Sequence, residues 1–197
     1  MTDPWYLQAE EYYVAEDQAG MYPPRQGDLF GPVTIHGEQW LACQLTHPTC
    51  EIAKKSVSDV HVIRVHGLSE IPDDHKRAAI ITGWQEKEGI VRVAEANTYF
   101  LAPVPALGAE LPLYSNFREI GSVAKRLLLK DATRLAALTH EARITFIRRN
   151  IYFRYRLNIP LADVRAMEAA RISSDPNFLG PRPAWAPPPT NDQTVPA

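Results

Sequence analysis

The chain has 197 residues, 45% hydrophobic and 22% charged, with a formal net charge of -2. These are the proportions of an ordinary soluble globular protein holding one compact domain plus appendages, and the overall charge identifies no partner. No apolar run approaches the roughly eighteen residues of a membrane helix, Met1-Thr2-Asp3-Pro4-Trp5 lacks a basic secretory start, and two cysteines are too few for a disulfide framework, so the expectation is a cytoplasmic protein with reduced thiols and no membrane association.

In chain order, Pro4 to Ala19 reads as a weak helix or irregular arm, and Pro23-Pro24 stops it. Gln26 to Ile35 has the Gly and Pro punctuation and β-branched content of a first strand, with His36-Gly37-Glu38 as the turn to a second, Trp40 to Leu45. Alternation puts Leu41, Cys43 and Leu45 on one face, which makes Cys43 a small core hydrophobe. Val60 to Val65 is the next strand. Pro72, the spacing of Ala78, Ile81 and Trp84, and Gly89 predict a helix over 73–87. Ile90 to Val93 and Asn97 to Leu101 read as a hairpin, followed by a Pro-punctuated loop and a strand near Phe117 to Val123.

From Asp131 onward the signal is helical. Thr139 is a suitable N-cap for a helix from about His140 to Leu157, and Asn158 with Pro160 forms its stop before a shorter helix, Leu161 to Ile172. On the longer helix Leu138, Ala142, Phe146, Phe153 and Leu157 share one face, while Ile144, Ile147, Ile151 and Tyr155 lie nearly opposite. The second stripe predicts a covering partner, most simply a second copy of the chain. The organisation is therefore an N-terminal arm over 1–24, a β-rich core over 25–123 with helix 73–87 inserted, a helical segment over 124–172, and a Pro-rich tail over 173–197 expected to be disordered.

Gly27-Asp28-Leu29 opening a strand, followed by an apolar strand into Leu45-Thr46-His47-Pro48-Thr49-Cys50-Glu51-Ile52, resembles uncharacterised bacterial proteins with a Gly-Asp start and a Cys-Asp-Ile or Cys-Asp-Leu motif. More distantly, residues 25–66 resemble the small β-barrel of PemK/MazF-type toxins, which are ribonucleases. The resemblance implies a β-barrel and a bacterial stress or defence setting. Where the toxin family carries a catalytic Arg-Pro pair, this chain has Trp40-Leu41-Ala42.

Three chemistries compete for the turn between the second and third strands. Cys43, His47 and Cys50, with His61 or His66 as a fourth ligand, are zinc-type residues, but Cys43 is already explained as core. Cys50 as thiolate, His47 as base and Glu51 as orienting group would make a nucleophile, helped by the charges of Lys54 and Lys55; the bland reading is a turn with a half-buried thiol. Lys54 and Lys55, together with Arg143, Arg148, Arg149, Arg154 and Arg156 interleaved with Tyr152 and Tyr155, could bind phosphates, bases or an acidic partner, or the arginines could line the solvated edges of a buried helix. The acidic residues of the first 36 positions could equally lie on that basic segment.

The expected protein is α+β: a small, mostly antiparallel β-barrel or curled sheet with an inserted helix and a C-terminal helical segment. The expected role is a non-catalytic binding or protein-interaction module without a cofactor. The alternatives are an RNA-binding or RNA-cleaving toxin-like protein and a cysteine-dependent enzyme.

Overall fold

The computed structural model describes residues 12–87, 90–93, 95–107 and 112–156, with the backbone alone at 16, 17, 84–87 and 90–93. The expectations for most of the N-terminal arm, the helix over 161–172 and the Pro-rich tail fall outside these residues. A short helix α1 (Glu16–Ala19) leads to β1 (Leu29–Gly31), β2 (Val33–Ile35), β3 (Glu38–Trp40) and β4 (Ala42–Leu45). The single strand expected over 26–35 is broken at Gly31-Pro32. A Cβ on Gly31 would sit 2.2 Å from the Leu41 carbonyl oxygen, and Pro32 has no N–H for a ladder. β2 and β3 form their own hairpin across His36 and Gly37, whose φ angles of 49° and 82° suit a two-residue turn. Leu41 lies between β3 and β4 and is 70% exposed, so it does not share a face with Cys43 and Leu45.

The chain continues through α2 (Thr49–Ile52) and β5 (Asp59–Gly67) to α3 (Asp74–Thr82). The Asp73 carboxylate caps α3 by accepting from the His75 and Lys76 amides at 2.8 and 3.1 Å. Gly83, left-handed with φ 71°, ends it five residues before the expected boundary. Trp84–Lys87 is instead β6, paired with β7 (Ile90–Val93), so the expected hairpin of 90–93 with 97–101 is not formed. β8 (Thr98–Leu101) pairs with the long β9 (Leu113–Ala124). The helical reading from Asp131 is also corrected, because Thr133–Ala136 is β10 on the edge of β1. Sheet pairing overrides weak local preference there. α4 (His140–Tyr155) has the expected N-cap, the Thr139 hydroxyl accepting from the Ala142 amide at 3.3 Å, and ends on Arg156 in the left-handed conformation, φ 57°.

The fold is α+β, built on one six-stranded antiparallel sheet in the order β10-β1-β4-β5-β9-β8. It is open, with β10 and β8 as edges, and does not close into a barrel. Both faces are covered, which is why β4 is buried at every position rather than alternating. One face carries Leu29, Ile63, Val65 and Phe117 beneath Ala142 and Phe146 of α4. The other carries Phe30, Cys43, Leu45, Val60 and Val62 beneath Val33, Ile35 and Trp40 of the β2–β3 hairpin. Each large side chain fully buried in this way stabilises by about 1.5–3 kcal/mol.

β9 serves both cores. Its register against β5 slips between the pairs Ile63–Ile120 and Arg64–Asn116, an odd offset that exchanges the two faces. Phe117 therefore faces α4 while Val123 faces the hairpin, although both are odd-numbered. Gly121, just past the slip, is where the hairpin presses closest. A Cβ there would meet Ile35 Cγ2 at 2.5 Å and the Trp40 ring at 3.1 Å.

Candidate functional site

The turn after β4 is held by its neighbours. The Thr46 amide and hydroxyl donate to the His61 carbonyl at 2.9 and 3.0 Å, the Gln26 side-chain amide donates to the Thr46 carbonyl at 2.8 Å, and the Gln26 backbone N–H donates to the Thr49 hydroxyl at 3.0 Å. At its far end the Lys125 ammonium donates to the Ile52 and Lys54 carbonyls at 3.2 and 2.7 Å, satisfying the C-terminus of α2. Cys43 is fully buried beneath the hairpin, and burial pushes its thiol up to about 12. It is inert as a nucleophile and poorly suited to lose a proton to a metal. Cys50 is exposed on α2 and, among the described residues, makes no hydrogen bond to His47. Glu51 pairs with Lys54 at 2.6 Å on the surface rather than orienting His47. Lys55 is exposed.

His47 packs against His61, ring centroids 5.4 Å apart, with its Nδ1 buried and unbonded. Burial, then His61 and Lys125, hold its pKa below the usual histidine value, against the opposing pull of Glu51. Among the described residues no group of three or more His, Cys, Asp or Glu side chains could hold a metal ion.

The basic residues of α4 divide sharply. Arg143, Arg148 and Arg149 are buried. Arg143 reaches His140 Nδ1 at 2.8 Å. Arg149 donates through Nε to the Thr98 carbonyl at 3.0 Å and through its terminal nitrogens to the Gly83 and Glu95 carbonyls at 2.9 and 3.0 Å. It thereby ties together the cap of α3, the turn before β8 and β8 itself. Arg154 and Arg156 lie on the exposed end of the helix, the first donating to Asn150 Oδ1 at 2.9 Å and the second standing 5.9 Å over the Phe153 ring. Tyr155, 67% exposed, is beside them. Of the apolar stripe Ile144, Ile147, Ile151 and Tyr155, Ile144 is fully buried within the chain and so presents no surface to a partner; Ile147 packs on the first core and Ile151 is half-buried.

Two arrangements have no signal in the sequence. His66, stacked on Tyr114 at 5.3 Å, lies between two carboxylates: Nε2 is 3.1 Å from Glu119 and Nδ1 is 3.4 Å from Glu70. Glu119, in the slipped segment of β9, also accepts from Asn116 at 2.6 Å and approaches Arg64 at 3.8 Å. This network closes the bulge. Burial, then the Glu70 and Glu119 charges, push the Tyr114 hydroxyl pKa up. Both ring nitrogens of His66 are thereby taken up by carboxylates.

The second arrangement is a groove of about 560 Å³ along β10. It is lined by Thr133–Ala136 of β10, by Tyr13, Val14, Ala15, Ala19 and Gly20 around α1, and by Pro103, Pro105 and Ala106. Arg134 fixes the geometry by donating to Asp28 at 2.5 Å and to the Ala19 and Tyr22 carbonyls at 2.9 and 2.7 Å. Asp28 is fully buried and accepts further from the Arg25 amide at 2.7 Å. Burial pushes its carboxyl pKa up, opposed by Arg134, Arg25 and Arg143. Asp28 belongs to the Gly-Asp motif, whose observed role is to anchor β10 rather than to face a ligand.

Among the described residues no helix is long and apolar enough to cross a membrane. No family model, curated protein or solved structure matches this chain.

Proposed function

We propose that this protein is a non-catalytic protein-interaction module whose binding face is the groove along β10. The observation that carries the reading is the contrast between that groove and the chemically active side chains. Cys43 is core, Glu51 is paired with Lys54, Arg149 is bonded to three backbone carbonyls, and His66 is held by two carboxylates. The groove is lined mainly by alanine, proline, glycine, valine and leucine, with the hydroxyls of Tyr13 and Thr133, and its one charge, Arg134, is neutralised by Asp28. Such a surface suits apolar contact: of its two hydroxyls, that of Tyr13 donates to the Ala102 carbonyl at 2.7 Å and that of Thr133 has no histidine or carboxylate beside it in the lining to act as a base.

RNA binding is the second reading, supported by Arg154, Arg156 and Tyr155 at the exposed end of α4, which offer cations and a ring for stacking. Either setting accommodates the bacterial stress or defence role implied by the toxin resemblance.

The test is selection of binders from a random linear peptide library with the purified full chain. Gly20→Arg and Ala106→Arg place bulk and charge at two lining positions from different segments of the chain. A Cβ on Gly20 meets nothing within 4 Å and Ala106 is exposed, so both variants should fold. Binders lost with these two variants and retained with Ser122→Arg, an exposed position on β9, support the reading. Failure to obtain any binder, or binders indifferent to both lining variants, overturns it.

A further inference from the structure

We infer that the groove takes a single extended, uncharged segment of a partner protein, which adds to the free edge of β10 as a seventh strand of the sheet. This inference rests on the interaction-module reading and specifies its mode. The edge is already started by the chain's own residues. Tyr13 forms an antiparallel bridge with Leu138, the Val14 amide donates to the Ala137 carbonyl at 2.9 Å, and the Thr139 amide donates to the Tyr12 carbonyl at 3.0 Å. At Ala15 the chain leaves this line and turns into α1, whereas β10 continues from Ala136 back to Thr133. A lane is left open beside β10, in line with the segment 12–14.

Several physical features point to a strand as its occupant. The four residues of β10 span about 13 Å, enough for a short strand, and an edge strand presents unpaired N–H and C=O groups that only another extended backbone satisfies in sequence. Among the described residues, the backbone bonds outside regular elements include none made by Thr133 to Ala136. The opposite edge differs, because the Thr98 carbonyl of β8 is taken by Arg149 and α3 packs beside that strand. β10 also lacks the lysine or proline that blunts exposed edges, and its one charge, Arg134, turns away to Asp28 and the Ala19 carbonyl. Residues around α1 and Pro103, Pro105 and Ala106 line the same groove as β10, which leaves little room for a second whole sheet and suits a lone strand. The prolines, alanines and Val14 of the lining select apolar side chains on the face turned toward them. Antiparallel addition continues the direction of residues 12–14.

The experiment takes a peptide selected from the random library and sensitive to Gly20→Arg and Ala106→Arg. A version N-methylated at alternate residues removes the donors facing β10 without changing the side chains. Strand addition predicts that methylation in one of the two alternating frames weakens binding at least about tenfold, the worth of roughly one lost hydrogen bond, while the other frame is tolerated. Hydrogen exchange on the free full chain should show the β10 amides that point away from β1 exchanging fast, and slowing when the unmethylated peptide is added. A groove binder unaffected by methylation in either frame overturns strand addition and leaves the module reading standing. Absence of any groove binder overturns the module reading itself. Protection of those amides in the free monomer would show that another segment of the same chain fills the lane, and a dimer in light scattering with the same protection would show a second copy there; either result overturns the partner-strand inference.

Discussion

Arg149→Met separates an arginine used by the fold from one held for a phosphate. In the wild type Arg149 is 3% exposed and its guanidinium donates to the carbonyls of Thr98, Gly83 and Glu95 at 2.9–3.0 Å. Methionine preserves most of the aliphatic packing and removes every donor. Three carbonyls then lose a charge-assisted partner. Each such loss costs about 1–3 kcal/mol when the acceptor stays buried, but carbonyls have a second lone pair and the bond to the Glu95 carbonyl is only part-buried. We therefore expect a total of about 3–5 kcal/mol rather than the full sum. With an m value of roughly 2 kcal/mol per molar urea, the midpoint should fall by about 1.5–2.5 M. Arg149→Lys should recover only part of this, because one ammonium cannot span three acceptors around a planar fork. Equilibrium urea unfolding followed by tryptophan fluorescence reads the effect. If Arg149→Met unfolds at the wild-type midpoint and instead loses affinity for RNA, the guanidinium is not held by those carbonyls in solution and the case against a basic recognition helix fails.

Thiol labelling of the native protein should modify Cys50 rapidly and Cys43 only at the rate of unfolding, because Cys50 is exposed and Cys43 fully buried; equal rates would refute the packing of the hairpin over β4. Gly121→Ala forces a methyl into the 2.5 Å approach of Ile35 and should destabilise by about 1–3 kcal/mol, lowering Tm by several degrees, and Ile35→Ala in the same chain should recover part of the loss. A measured additivity of the two substitutions would show that the hairpin does not press on β9 there. His47, with a pKa held below the ordinary 6.5, takes up a proton more readily when unfolded. Stability should therefore fall as pH drops through and below about 6.5, and His47→Gln should flatten that part of the pH profile measured by thermal melting. A steeper profile in the variant would reverse the sign of the assigned shift.

What the sequence determined by itself is local. Thr139 as N-cap, the phase of Ala142, Phe146 and Phe153, and the burial of Cys43 against the exposure of Cys50 rest on caps, periodicity and turn chemistry acting over a few residues. The α+β class follows from the same short-range signals. Tertiary structure decided the rest, wherever an outcome depends on residues far apart in the chain. Thr133–Ala136 is a strand because β1 and Asp28 receive it, the latter 106 residues before Arg134. The arginines of α4 read as a recognition surface in sequence, since a cation near few carboxylates has no visible partner. The acceptors of Arg149 are carbonyls 51, 54 and 66 residues away, and every residue type has a carbonyl. The face exchange in β9 is equally hidden, because a register slip belongs to the pairing of two strands and leaves the alternation of either one unmarked. The groove is the extreme case: α1, β10 and the Pro103 to Ala106 segment carry no motif, and their common wall exists only because residue 15 turns away from an edge that begins 118 positions later, at residue 133.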